Sequence, residues 1–346
     1  MRWIGSLPFD FFCTEHPQET APMNTYTRRG LLAAMASACL ITLGSAAAQV
    51  STKPLSIVVG FAAGGPTDIV ARVVAKALAE ELGKPVIVEN KPGAGSTVAA
   101  GYVAHGPTDG TSMLLVVPGL TGAETLFPNR KYDLTKDFAA ISLLGTSPNW
   151  LLTPVGSDFK TAQEVEKRAK AAPGKYSYGH GATGGISHLS SEWLNAVKKL
   201  DILSVPYKGN GPALVDLVGG RIDLMFDQPI SSESFVASGK LRPLAVTSAK
   251  RLATYPDVPT MEEAGYPGFV VEVWYGLVFA AKTPETTVKT VNEALARVLA
   301  RDDVKSSLNN SGVTPQHSTP QAFQSRINGE VERWKRVIID AKITTQ

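Results

Sequence analysis

From Leu55 onward, short apolar runs alternate with amphipathic stretches: residues 55–60, then 67–82, then 86–89. A short apolar run bounded by turn formers reads as a buried strand, and a longer stretch with apolar positions every three or four residues reads as a helix. The order is the βαβ rhythm of a parallel sheet. It continues with strands at 113–117 and 141–144 and a helix over 96–105, between turn-rich loops. A parallel-sheet domain is thus predicted for residues 49–150. A second series follows, with strands at 150–153, 176–179, 202–205, 222–226 and 244–247 and helices fitting between them. Thr161 and Glu164 are spaced as a capping box for the first of those helices. After an extended apolar stretch at 270–280 the pattern turns to helices alone, at 284–300, 302–310 and 320–341. No strand series is left for a third domain. The economical organisation is an α/β chain of two doubly wound lobes, lobe 1 from residues 49–150 plus 273–346 and lobe 2 from 151–272. The two crossings then form a hinge beside a cleft. No internal repeat is evident.

A chain of 346 residues, 44% hydrophobic and 19% charged, is long enough for two such cores. The formal charge of +3 comes from 34 basic and 31 acidic residues scattered without a cluster, which gives no reason to expect nucleic acid. The first 48 residues stand apart. Arg28 and Arg29, an apolar run at 31–43 and small residues at 45–48 make an export signal, removed at Ala46-x-Ala48 before Gln49. The run is shorter than the roughly 20 residues that span a bilayer, so a retained anchor is the poorer reading. The Arg pair also permits twin-arginine export, and Met23 opens a complete signal of its own. Cys13 and Cys39 both fall in this stretch, so the processed protein is expected to hold no disulfide and no thiol nucleophile; Cys39 as a lipidation site is a minor alternative.

Two loops carry the chemistry. Phe61-Ala62-Ala63-Gly64-Gly65-Pro66-Thr67-Asp68 joins the first strand to the first helix. Its glycines admit close approach, Pro66 is preset for a first helical turn, and the free N–H groups there attract an anion. A plain βα turn capped by Thr67 or Asp68 fits the same residues. The second loop, residues 179–188, matches G-x-G-x-x-G, but Asp201 stands at the wrong end of the next strand for a ribose contact, so no nucleotide cofactor is expected. Doubly wound sheets bind at the C-terminal ends of their strands, so the two loops would face one cleft and grip an anion from both sides. The turn at 92–96 reads as structural. His188 and Asp227 are each open to two readings, ligand contact or local capping, and Trp150, Trp274 and Tyr275 to ligand cover or core packing. No nucleophile elbow, Walker loop, His-Glu-x-x-His or clustered metal ligand set is present.

The segments 61–72, 88–95, 136–138, 187–189, 205–209, 216–223, 225–227, 244–251, 257–260 and 274–277 together resemble the Bug family, the TctC-like substrate-binding proteins of tripartite tricarboxylate transporters. The resemblance implies a type II periplasmic-binding-protein fold and a ligand carboxylate held by both loops, partly through ordered water. The roles would fall on Phe61, Ala63, Gly64, Gly65, Thr67 and Asp68 and on Thr183, Gly184, Ser187 and His188, with Asp227 facing the cleft. It further implies a periplasmic monomer that binds a small organic anion, namely a di- or tricarboxylate, amino acid or aromatic acid, and delivers it to membrane subunits, with no catalysis, cofactor or metal. Ala62 and Ala63 stand where the family often has prolines, residues 117–121 replace a serine- and threonine-rich turn, and Gln228 replaces a frequent asparagine, which leaves ligand identity open. Presentation of the ligand to a sensor, or an enzyme acting on a carboxylate, are the competing readings.

Overall fold

The computed structural model describes residues 54–345, so the expected export signal and both cysteines lie outside the described residues. The strands of the first sheet are β1 (Leu55–Val59), β2 (Val86–Asn90), β3 (Ser112–Val116), β4 (Phe138–Pro148), β10 (Glu272–Ala280) and β11 (Thr314–Pro315). They lie in the order β11-β4-β10-β3-β1-β2. Both faces of the sheet's centre are covered, which is why β1 and β3 are apolar at every position but Ser56 and Ser112, whose hydroxyls bond each other (3.2 Å). Alternate residues serve alternate faces: Ile57, Val59, Met113 and Leu115 join one core, and Val58, Leu114 and Val116 the other. Helix α1 (Pro66–Leu82) lays Val70, Val74 and Leu78 on the first core and ends at Gly83, whose left-handed φ of 62° reverses the chain. Helices α8 (Glu285–Ala300) and α9 (Asp302–Asn310) cover the same face.

The sheet is mixed, not wholly parallel. β1 pairs in parallel with β2 and β3, but β10 lies antiparallel between β3 and β4. The chain returns to this sheet directly from the second series, without a helical crossover, and so enters it in the opposite direction. Two elements are illegible in the sequence. Pro118 and Gly119, which read as turn, open helix α3 (Pro118–Leu126), where proline suits the first turn; the short β11 has too few residues to show a period.

In the second series β5 (Trp150–Pro154) pairs antiparallel with β8 (Met225–Asp227) and β9 (Leu241–Val246). β6 (Ser177–His180) and β7 (Leu203–Pro206) form a parallel pair, linked to the others where Tyr178 bridges Leu224. One face carries Leu151, Phe226 and Ala245, the other Trp150, Leu152 and Met225. Helices α4 (Ala162–Ala171), α5 (Ile186–Lys198), α6 (Asn210–Val218) and α7 (Pro229–Ala237) surround them. Thr161 caps α4 through the Glu164 N–H, while the Glu164 carboxylate accepts from the Lys160 N–H in place of the reciprocal bond to Thr161.

The chain passes between the series at residues 148–150 and 271–272, and one threonine ties the two passages together. Thr247 Oγ1 donates to the Val271 carbonyl (2.6 Å) and accepts from the Asn149 N–H (3.0 Å). Helix α10 (Pro320–Asp340) is a third connection. Phe323 and Ile327 at its start pack in a first-series core, and Trp334 and Ile338 near its end pack in a second-series core. Two strand crossings and one shared helix therefore join the halves.

The contact between α10 and β10 is tight. A Cβ placed on Gly276 would stand 2.0 Å from Phe323 Cζ. Gly276→Ala is therefore expected to lower the unfolding free energy by about 1–3 kcal/mol in urea titrations, with part of the loss recovered in Gly276→Ala/Phe323→Leu. A wild-type midpoint for the single variant would show that this contact gives way freely.

Candidate functional site

A cleft of about 1250 Å³ lies between the two series. Its walls are mostly the starts of helices. α1, α3, α5, α6 and α7 and helix α2 (Thr97–Ala104) each contribute residues from their first turn or the residue before it. None of these six has a side-chain cap: their N-cap residues are Gly65, Ser96, Val117, Gly185, Gly209 and Gln228. Of the four α-helices among the described residues that begin elsewhere, α4 and α10 carry threonine caps. The first N–H groups of a helix have no intrahelical acceptor. In α1 the first such bond runs from Ile69 N–H to Gly65 O, and in α5 from Leu189 N–H to Gly185 O. This leaves the N–H groups of Thr67 and Asp68, and those of Ile186, Ser187 and His188, without an acceptor inside their helices.

The two glycine loops are local copies of each other. Gly64 and Gly184 are left-handed, with φ of 82° and 79°, where a side chain would be strained. The next glycine in each, Gly65 or Gly185, is extended and serves as N-cap. Four residues beyond the left-handed glycine, a side chain takes up its N–H: Asp68 Oδ2 at 2.9 Å from Gly64 N, and His188 Nδ1 at 3.3 Å from Gly184 N. Asp68 and His188 thus shape their loops from behind; they do not line the cleft, and neither does Gly184. Asp68 also accepts from Arg72 Nε (2.8 Å) and Asn90 Nδ2 (2.9 Å). Burial alone would raise its pKa, but the bonds from Arg72, Gly64 and Asn90 outweigh burial and hold it below the usual carboxylate value. Burial, with His180 beside it, lowers the His188 pKa to about 4, so the ring is neutral at pH 7 and Nδ1 keeps the lone pair that Gly184 needs.

Phe61, Ala63, Gly64, Gly65 and Thr67 of the first loop line the cleft, as do Thr183 and Ser187 of the second. The Ser187 hydroxyl donates to the Phe226 carbonyl (2.6 Å), so this residue offers the cleft its N–H rather than its O–H. The second loop is approached closely by the turn at 92–96 and by the start of α3: a Cβ on Gly95 would lie 3.2 Å from Thr183 O, and one on Gly119 3.3 Å from Gly184 O. The turn at 92–96, which reads as structural in the sequence, therefore forms part of the cleft, together with the start of α3.

Asp227 does not face the cleft. It is 1% exposed at the end of β8, where it accepts from Ser231 Oγ (2.6 Å) and from Asn210 Nδ2, and these two residues line the wall in its place. Trp150 and Trp274 are core residues, Trp150 donating to Ser232 Oγ (2.9 Å) and Trp274 packed edge-on to Phe323. Tyr275 is buried and bonds to Gln228, which joins β10 to the start of α7 beneath the cleft. Asn210 and Ser231 line the cleft and are missed by the sequence reading; Gly209 caps and Asn210, Gly211 and Pro212 open α6, a glycine- and proline-marked strand-to-helix junction that holds the signal for the first of them. Lys208 is the only lysine, arginine, aspartate or glutamate among the residues lining the cleft. No group of three or more potential metal ligands occurs among the described residues, and no helix among them is long and apolar enough to cross a membrane.

Burial raises the Asp227 pKa to about 6, against the opposing bonds from Ser231 and Asn210. The folded chain then holds this proton more tightly than the unfolded chain, whose aspartates titrate near 3.9, so stability falls as pH rises from about 4 to 6. Asp227→Asn removes that loss. Its stability relative to wild type is expected to rise by roughly 2–3 kcal/mol between pH 4 and pH 7 in urea unfolding; a pH-independent difference would contradict the burial of this charge.

The chain is similar along most of its length to known binding proteins. Residues 70–343 match the family model described as "Tripartite tricarboxylate transporter family receptor". The structure of the periplasmic binding protein BugD superposes with a TM-score of 0.79 at 35% identity, over 84% of this chain and 98% of that one. MatC (Rpa3494) from Rhodopseudomonas palustris with bound malate gives 0.78 at 36%, over 82% and 98%. Rpa4515 of R. palustris with adipate gives 0.81 at 32%, over 86% and 99%. With its two-lobed α/β architecture, this chain has the type II periplasmic-binding-protein fold and belongs to the tripartite tricarboxylate transporter receptor family, whose Bug members its sequence resembles.

Proposed function

We propose that this chain captures a small carboxylate-bearing solute in the periplasm and delivers it to the membrane subunits of a tripartite tricarboxylate-type transporter, acting by binding alone. The observation that carries the reading is the convergence of six uncapped helix starts on a cleft with one charged side chain. Donors of this kind suit a compact anion: each helix start favours a negative charge by about 0.3–1 kcal/mol at exposed sites and up to ~2 kcal/mol when partly buried. The malate and adipate of the two related structures are carboxylates of this size. No histidine, cysteine, aspartate or glutamate is among the residues lining the cleft, and the carboxylates that the lining hydroxyls of Ser231 and Tyr207 bond, Asp227 and Asp216, stand outside that lining. A carboxylate or imidazole base exposed to a bound ligand, which acyl transfer or hydrolysis needs, is thus not among its walls. In this reading the chain is exported, cleaved before Gln49, and acts in the periplasm as a monomer. The lobes, residues 49–150 with 273–346 and residues 151–272, close on the ligand about the Thr247-tied crossings, while α10 limits the motion to a rotation both cores tolerate.

Gly65 provides the test. Its φ of −82° is open to any residue, and a Cβ there meets nothing closer than 3.7 Å, so Gly65→Val leaves the fold intact while filling the approach to the α1 N–H groups. In a thermal-shift screen against organic acids, wild type is expected to gain stability with at least one carboxylate, because a ligand of the folded state raises the midpoint by mass action. Gly65→Val is expected to melt like unliganded wild type and show no shift. A full shift in this variant would refute anion capture by the α1 start.

A further inference from the structure

Resting on carboxylate capture in this cleft, we infer that binding of the anion loads a proton onto Asp227, which turns the Ser231 hydroxyl from that carboxylate towards the ligand. Asp227 is buried at the end of β8, behind the cleft wall, and its partners there are neutral: Asn210 Nδ2, Ser231 Oγ (2.6 Å) and the Gln228 N–H. All three of these residues line the cleft, so neutral groups stand between this carboxylate and a bound anion. Two negative charges in that arrangement disfavour each other, and the buried one is the one a proton can discharge. The anion thus raises the proton affinity of Asp227, and a proton on Asp227 raises the affinity for the anion by the same factor. Burial already pushes this pKa up to about 6, so the affinity falls as pH rises through that value and levels off once the liganded form is ionised too.

The proton does more than remove a charge. Ser231 has one O–H to give, and while Asp227 is ionised that O–H is spent on its carboxylate. Once protonated, Asp227 becomes the donor in the same contact and Ser231 Oγ the acceptor, which frees the serine O–H to turn. The proton stays on the carboxyl, and only hydrogen bonds change. The acceptors then open to Ser231 are the Gln228 carbonyl (3.1 Å) and the ligand anion, of which the charged one makes the stronger bond. The titratable groups on the elements around β8 are otherwise engaged. On β6 and α5, Glu192 accepts from Tyr178, Lys198 is paired with Glu166, and burial lowers the pKa of His180 and His188, the latter to about 4. On α6 and α7, Asp216 is paired with Arg221 and Glu233 accepts from Tyr255. On β10, burial raises the Tyr275 pKa and Glu272 is paired with Arg326.

Calorimetric titration of the processed protein from pH 6 to pH 8, with malate, adipate and any further acid that the thermal-shift screen finds, tests this. Wild type is expected to bind roughly three- to tenfold tighter at pH 6 than at pH 8. It should also take up a proton, read at pH 7 as a difference in binding heat between buffers of low and high ionisation enthalpy. Asp227→Asn keeps a neutral group of the same shape that donates to Ser231, so it should bind throughout within about twofold of wild type at pH 6, with no proton uptake. The acids titrate alike in both proteins, so the difference between the two isolates Asp227. Ser231→Ala should lose roughly threefold in affinity at pH 6 and little at pH 8. Binding to wild type without proton uptake, or the same uptake in Asp227→Asn, overturns the role of Asp227 and leaves carboxylate capture standing. An equal loss at both pH values in Ser231→Ala overturns the turning of its hydroxyl. If none of these acids binds, carboxylate capture falls and the proton uptake with it.

Discussion

An N–H at the start of a helix has no partner of its own, and the cleft is built on that fact. Helix starts in soluble proteins are commonly closed by a serine, threonine, aspartate or asparagine, worth about 1 kcal/mol each. This chain uses such caps at Thr161 and Thr319, on helices that begin away from the cleft, and omits them at the six starts that face it. Glycine at Gly65, Gly185 and Gly209 cannot cap with a side chain and also keeps the surface low enough for an anion to reach the backbone. Stability forgone at these termini is available again when an anion binds. Structure and function are linked at this point, because the groups that lack an intrahelical acceptor are the ones a bound anion would satisfy.

Holding those groups open requires support from behind, and both loops solve the problem with the same five-residue arrangement. A left-handed glycine turns the chain, an extended glycine begins the helix, and a side chain in the first turn captures the N–H of the left-handed glycine. In the first loop the captor is a charged carboxylate locked by Arg72 and Asn90; in the second it is an imidazole kept neutral by burial. The acceptor changes while the geometry is retained. Asp227 has an analogous role for the α6 and α7 starts, where its buried carboxylate fixes Asn210 and Ser231. The carboxylates of Asp68 and Asp227 thus orient the surface of the site without forming it.

The architecture is legible in the sequence because its signals are periodic and local. Apolar runs such as residues 55–59 and 112–116 allow little but buried strands, and the amphipathic stretch at 66–82 allows little but a helix. The two glycine loops stand out because each joins a strand to a helix, where glycine lets a ligand approach the free N–H groups of the helix start. What stays hidden depends on direction and depth. Nothing local says that β10 runs antiparallel, since strand direction follows from where the chain has just been. Pro118 and Gly119 read as a turn because the proline that begins a helix also begins a turn. Asp227 and His188 are legible as residues near the cleft but lie behind its wall, since a strand end or helix start does not tell which way a side chain points once other elements pack on it. Asn210 and Ser231 escape notice for the converse reason, as ordinary polar residues made important by a buried partner.

In the proposed binding mode, backbone N–H groups at the starts of α1 and α5 are the donors to the ligand carboxylate. Amide proton shifts measured by NMR, with and without a saturating carboxylate ligand, report on those groups one at a time. The N–H signals of Thr67 and Ser187 are predicted to move strongly downfield, as amides do on gaining a charged acceptor. Those of Glu164 and Ala322, already held by the caps Thr161 and Thr319, are predicted to stay in place. Unmoved Thr67 and Ser187 signals at saturation, with binding verified by calorimetry, would contradict capture by the helix starts.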